Sequence, residues 1–330
     1  MDNAHIPNSH TYVTPSWRPF KFERTPLREA IKTTRVQGTQ TPRYAGTVPQ
    51  AWCSRSQIAG RTLSAHGGYC GSVLVATALQ YSQDAYGDQS YTTPLSLSVE
   101  ILRPLPEGSY EVAIHDYAVK GNIATIRAEI TSLQPDTSTI YSVGLIRLRR
   151  NTPFQGGKLI QAKTAPFPDR VRDCARWTDG LFYHFNPPAA YLRTFAPKGE
   201  GFPLWSEKFG GQNQRWQWVK LDYEEKFELL HLPVLSDLIP VLPLNFEKDG
   251  LLAATRYQIA TLSLHLEFRN PEVDEEWLIS RTTMNKLQDG VFDMGIQIMN
   301  NQGDIIATCT QNWSMTPRKT RQIGSGESKL

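Results

Sequence analysis

An α+β fold built from two copies of one helix-and-sheet unit is what this sequence predicts, and two observations carry that expectation. The order strand, helix, then four strand-like runs occurs twice along the 330 residues, and a decapeptide of the first half returns in the second. A period of about half the chain is too long for a solenoid and marks a duplicated domain, with two sheets side by side.

Residues 1–43 read as an N-terminal extension. Met1 to Pro19 is polar, with His5 and His10 but without the apolar core of a secretory signal. The first unit, 44–150, opens with a strand over Thr47–Arg55, then His66-Gly67-Gly68, then an apolar helix through Tyr81. Strands follow at Pro94–Leu102, Ser109–Val119, Ile123–Ser132 and Thr139–Arg149, separated by Pro, Gly, Asn and Asp, which suits antiparallel hairpins. Residues 151–203 are rich in Pro, Gly and aromatics, as in a linker packed across the surface.

The second unit, 204–317, repeats the order. A strand at Arg215–Leu221 leads to a helical stretch over Glu225–Leu242, then to strands at Ala260–Arg269, Glu276–Met284, Gly290–Met299 and Ile305–Met315. Leu95-Ser96-Leu97-Ser98-Val99-Glu100-Ile101-Leu102-Arg103-Pro104 matches Leu262-Ser263-Leu264-His265-Leu266-Glu267-Phe268-Arg269-Asn270-Pro271, with Leu, Ser, Leu, Glu and Pro in the same places. Both copies end at a proline, which cannot donate to a central ladder.

A 40% hydrophobic content is ample for packed cores, and 35 basic residues against 32 acidic ones form no block that would select nucleic acid or a membrane surface as a partner. The most apolar stretch, Leu229 to Leu244, is interrupted by Asp237 and three prolines. Cys53, Cys70, Cys174 and Cys309 lack C-x-x-C spacing, so reduced, buried thiols are expected, with no metal and no cofactor. The tail, 318–330, is polar and ends in Ser328-Lys329-Leu330, the tripeptide read by the peroxisomal import receptor; without it a cytoplasmic location would be expected.

Ala65-His66-Gly67-Gly68-Tyr69 before an apolar helix, Ala260 to Phe268, and the closing run Asp304-Ile305-Ile306-Ala307-Thr308-Cys309-Thr310-Gln311 together resemble the acyl-CoA thioesterase II family over roughly Thr47 to Met315. That resemblance implies a double hotdog, each repeat a long helix wrapped by an antiparallel sheet. It also implies acyl-CoA as substrate, and it allows a homodimer, because hotdog proteins commonly associate through sheets.

Thioester hydrolysis needs an activated water and donors where charge develops on the carbonyl oxygen. The family pattern, an Asp on the first long strand of the second repeat, a Ser or Thr on the next strand and a Gln on the last, falls on Ser263, on Thr283 or Thr282, and on Gln311. Ser263 thus stands in place of a carboxylate, unless it merely mirrors Ser96 as a small residue facing the helix. Asp237, amid Leu232, Val234, Leu235, Leu238 and Ile239, is the substitute carboxylate, where burial would favour its neutral form. Gly67 and Gly68, followed by Tyr69, offer backbone N–H groups at a helix start for substrate binding, and the neighbouring His66 is a second candidate base. Trp205, Trp216, Trp218, Tyr223 and Phe227 are candidates to line an acyl channel. Beside hydrolysis, the same residues suit a hotdog lyase, dehydratase or cyclase with His66 and Asp237 as acid and base, or a non-catalytic acyl-binding protein.

Overall fold

The computed structural model describes residues 23–55, 63–133, 139–150, 166–177, 186–198, 205–222, 226–238 and 242–318. In the first half, α1 (Leu27–Ala30) and β1 (Thr34–Val36) precede β2 (Arg43–Val48). The short pair β3 (Cys53–Arg55) and β4 (Leu63–Ala65) then leads into α2 (Gly67–Tyr86). Val73, Leu74, Val75 and Ala78 of α2 are all fully buried, because the sheet wraps the helix and leaves it little solvent face. Gly87, at φ 52°, ends it in a backbone conformation that a side chain would resist.

Four antiparallel strands cover α2: β5 (Thr93–Ile101), β6 (Gly108–Lys120), β7 (Ile123–Thr131) and β8 (Ile140–Arg149). Alternation sets their faces. On β7, Ala124, Ile126, Ala128 and Ile130 point inward, while Thr125, Arg127 and Glu129 point out.

The second half contributes β11 (Gln214–Leu221), a six-residue α3 (Leu232–Asp237), β12 (Tyr257–Phe268), β13 (Leu278–Thr283), β14 (Leu287–Gln288), β15 (Val291–Met299) and β16 (Ile305–Pro317). The stretch read as a linker supplies two more strands, β9 (Cys174–Trp177) and β10 (Leu192–Pro197), which extend the sheet beyond β11.

The halves form one sheet of 14 strands where two were expected, in the order β1-β2-β6-β7-β8-β5-β12-β16-β15-β13-β11-β10-β9, with β14 paired to β15 off that path. The order is symmetric about the β5–β12 pair, where His265 lies opposite Ser98, its own counterpart in the repeated decapeptide. The main apolar core runs through both halves, from Leu27 to Met315, and a smaller cluster of Cys174, Trp216, Trp218, Ile279 and Met299 packs apart from it.

The long second helix is the main expectation the structure corrects. A 3-10 turn at Leu229–His231 precedes α3, and another at Leu242–Phe246 follows it. Pro240 has no N–H to give to the carbonyl of Ser236 four residues back, so α-helical bonding has no donor there. Gln311 Nε2 supplies it from β16, at 3.3 Å.

Candidate active site

The two helices meet end to side. Gly67, Gly68, Gly71 and Ser72 give the first turns of α2 a face of small residues, and α3 lies directly on it. A Cβ on Gly68 would stand 2.4 Å from the Pro233 carbonyl oxygen and 2.7 Å from Val234 Cα, and one on Gly67 would stand 2.8 Å from Asp237 Oδ2. These glycines are therefore demanded by the crossing itself. Ser72 Oγ donates to the Leu230 carbonyl at 2.7 Å and fixes the contact.

That crossing delivers Asp237, 1% exposed, to the N-terminus of α2. The Gly68 N–H donates to its Oδ2 at 2.7 Å, and the Thr261 hydroxyl donates to its Oδ1 at 3.0 Å. His66, the residue before α2, makes no side-chain cap of its own, so a carboxylate from the other half fills the role of an N-cap at the positive end of the helix dipole. His66 Nδ1 is 3.2 Å from Asp237 Oδ2 yet has no hydrogen-bond partner among the described residues. Burial pushes the His66 imidazole below its ordinary pKa and outweighs the nearby carboxylate, so the ring is neutral at pH 7.

Thr261 reaches Asp237 because the β12–β16 register slips between Thr261 and Ser263. This bulge leaves Leu262 exposed and turns Thr261 to the inner face, against the simple alternation set by Leu264 and Leu266. Gln311 closes the site from β16: it is 2% exposed, donates to the Ser236 carbonyl and accepts from Trp313 Nε1 at 2.8 Å. Its amide is oriented by both bonds. Cys70 and Cys309 lie in the same buried surroundings, and desolvation holds both thiols up at about 12, so neither is a thiolate nucleophile.

Of the residues expected in the site, Asp237, Gln311, His66, Gly67 and Gly68 come together, and Thr261, absent from the expectation, joins them. Ser263 does not. It lies on the outer face, where Asn312 Nδ2 donates to its Oγ at 3.2 Å, so it neither replaces a carboxylate nor faces the helix. Thr283 also points outward and donates to the Gly295 carbonyl at 3.3 Å; its neighbour Thr282 is the inward residue of β13. Tyr69 is fully buried and donates to the Ala30 carbonyl at 2.7 Å, which ties α2 to α1 and keeps its hydroxyl from a substrate. Gly68 offers its N–H to Asp237 before any thioester oxygen. Trp216 and Trp218 pack under Phe167 on the outer face and line no inner channel, whereas Phe227 belongs to the main core. Tyr223 and Ser328-Lys329-Leu330 lie outside the described residues. Among the described residues no group of His, Cys, Asp and Glu has the arrangement of a metal site.

Family models match both halves of the chain. Residues 57–145 match the acyl-CoA thioesterase N-terminal domain and residues 161–315 the acyl-CoA thioesterase C-terminal domain. The chain belongs to the acyl-CoA thioesterase family. Solved structures agree on the double hotdog fold. A conserved protein of unknown function with a hot dog fold from Alicyclobacillus acidocaldarius is 14% identical at a TM-score of 0.63, with 89% of this chain and 99% of that one covered. An acyl-CoA thioesterase II from Mycobacterium marinum is 14% identical at 0.59, over 89% and 99%. The dehydratase domain from the CurJ module of the curacin polyketide synthase is 11% identical at 0.53, over 87% and 96%. Among curated proteins none matches.

Proposed function

We propose that the protein hydrolyses an acyl-CoA thioester to a free acid and CoA, with Asp237 as the base. The observation that carries this reading is the Asp237 carboxylate, buried at the start of α2 with its two oxygens held by Gly68 and Thr261 and with Gln311 beside it, in a chain of the acyl-CoA thioesterase family. A water between Asp237 and Gln311 attacks the thioester carbon and gives its proton to the carboxylate. The positive end of α2 stabilises the tetrahedral oxyanion. As the C–S bond breaks, the proton passes from Asp237 to the departing thiolate. The expected result is thiol release from a panel of short, long, branched and aromatic acyl-CoAs. Asp237→Asn lowers kcat at least about a hundredfold, Gln311→Ala lowers it about tenfold, and Ser263→Ala leaves it unchanged. Release of no thiol from any ester would sink the reading.

The approach of His66 to Asp237 favours a second reading, a lyase or dehydratase in which the neutral imidazole is the base and the thioester survives. Mass spectrometry of the product separates the two, since a lyase leaves CoA attached. A non-catalytic acyl-binding role predicts instead ligand binding unaffected by Gln311→Ala and no turnover of any thioester. The C-terminal Ser328-Lys329-Leu330 supports import into peroxisomes through the tripeptide receptor. Removing those residues from a fluorescent fusion is expected to turn a punctate signal diffuse.

A further inference from the structure

The two copies differ on their inner faces in one patch. Counted outward from the β5–β12 pair, the first half aligns Val99, Gly144, Ala128 and Ile114 in one row and Ile101, Ser142, Ile130, Val112 and Tyr44 in the next. The matching rows of the second half read Leu266, Cys309, Ile296, Thr282 and Arg215, then Phe268, Ala307, Ile298, Ser280 and Gln217. Where the first copy has Ile114, Val112 and Tyr44, the second has Thr282, Ser280 and Gln217.

All are buried: Ser280 is 0% exposed, Thr282 and Arg215 1%, and Gln217 2%. Arg215 is engaged, its Nε donating to Gln217 Oε1 at 3.1 Å and its guanidinium lying over the Trp177 ring. The hydroxyls of Ser280 and Thr282 have no hydrogen-bond partner among the described residues. Orphan hydroxyls also occur in the first half, at Tyr110, Thr131 and Ser142, but one to a strand, on β6, β7 and β8 in turn. Buried hydroxyls are ordinarily paired, and two orphans side by side on a strand, next to a Gln–Arg pair, are a surface shaped for something polar. The helix cover differs as well. α2 lies across β5 to β8, whereas the main sheet contact of α3 is with β15, short of β13 and β11.

The patch is within reach of the catalytic residues. Thr282 lies two strands and one inward step from Gln311, about 12 Å by strand spacing and rise. The intervening inner residues Met294, Ile296 and Cys309 are apolar.

We propose that Ser280 and Thr282 read oxygen functions on the distal part of the acyl chain, so that the substrate class is a hydroxy- or oxo-acyl thioester of medium length and not a plain fatty acyl thioester. This rests on the thioester-handling site proposed above. Each chain oxygen pairs with a hydroxyl that otherwise stays unsatisfied, and a hydrocarbon chain on the same path leaves both unmade.

The test is binding, measured by calorimetry on the full chain. The probes are a non-hydrolysable decyl thioether of CoA and the same chain carrying hydroxyl or oxo groups on its distal half. The oxygenated thioether is expected to bind at least tenfold more tightly, and the double variant Ser280→Ala with Thr282→Val is expected to shrink that preference below about threefold. The variant removes two unpaired hydroxyls, so it keeps its fold and melts at or above the parent temperature. Equal binding of the two thioethers, a preference for the plain chain, a preference that survives in the double variant, or no binding of either probe overturns the proposal. Because neither probe can be hydrolysed, absence of thiol release in the turnover assay counts against the hydrolase reading alone.

Discussion

Asp237 is a carboxylate whose two oxygens are spoken for by different halves of the molecule, Gly68 from the first and Thr261 from the second. If Thr261 only orients the carboxylate, Thr261→Val lowers kcat about tenfold with little change in KM, the cost of one hydrogen bond to a charged group. Steady-state kinetics decides it, and an unchanged kcat would remove Thr261 from the machinery. His66 carries a separate consequence. Its folded pKa lies below the ordinary 6.5, so as pH falls below 6.5 the unfolded chain takes up a proton that the folded chain refuses. Its contribution to stability is complete above pH 6.5 and drains away below it. Urea unfolding is expected to show the parent losing more stability than His66→Gln between about pH 7.5 and about pH 5.5. Asp237, Gln311 and His66 were legible because a polar group amid apolar neighbours, or beside a helix start, is visible in one dimension. Thr261 was not, since strict alternation places it on the same outer face as Ser263, and nothing in Ala260-Thr261-Leu262-Ser263 announces the bulge that turns it inward.

At the scale of elements, the contact between α2 and α3 decides whether the site exists. Gly68→Ala sets a methyl group against the Pro233 carbonyl and Val234 Cα, and is expected to cost about 2 kcal/mol. A fall of several degrees in Tm together with loss of activity is the measured outcome; retention of both would mean that α3 moves freely. Most strands were read from the sequence to within a few residues, because alternation and Gly or Pro punctuation are local signals: the run expected at Ser109–Val119 is Gly108–Lys120, and that at Gly290–Met299 is Val291–Met299, whereas the single strand expected at Thr47–Arg55 is broken by a 3-10 turn at Gln50–Trp52 that follows Pro49 and separates β2 from β3. The second helix was overestimated because its apolar residues continue past Asp237. Prolines 240 and 243 mark its limit, and the bond that replaces the missing donor, from Gln311, comes from a strand some seventy residues away. The strands β9 and β10 were missed for the opposite reason, since a short run amid Pro, Gly and aromatics becomes a strand only when a neighbouring edge is there to pair with it.

The main core and the large sheet both run through the two halves, so the halves are expected to unfold together. Leu266→Ala, at the β5–β12 seam, is expected to cost about 3 kcal/mol and to shift tryptophan fluorescence and circular dichroism by the same amount in one transition. Two separated transitions would show that the copies stand independently. The seam also bears on how such a chain can diverge. Ser98 and His265 hold the same place in the two copies, yet they face each other, with Ser98 Oγ 2.6 Å from His265 Nδ1. In an assembly of two identical chains a residue on the twofold axis meets its own twin, so only choices that tolerate themselves are open there. Joining the copies into one polypeptide releases that position from self-complementarity, and the unlike pair found at the seam is a combination that no symmetric dimer could encode.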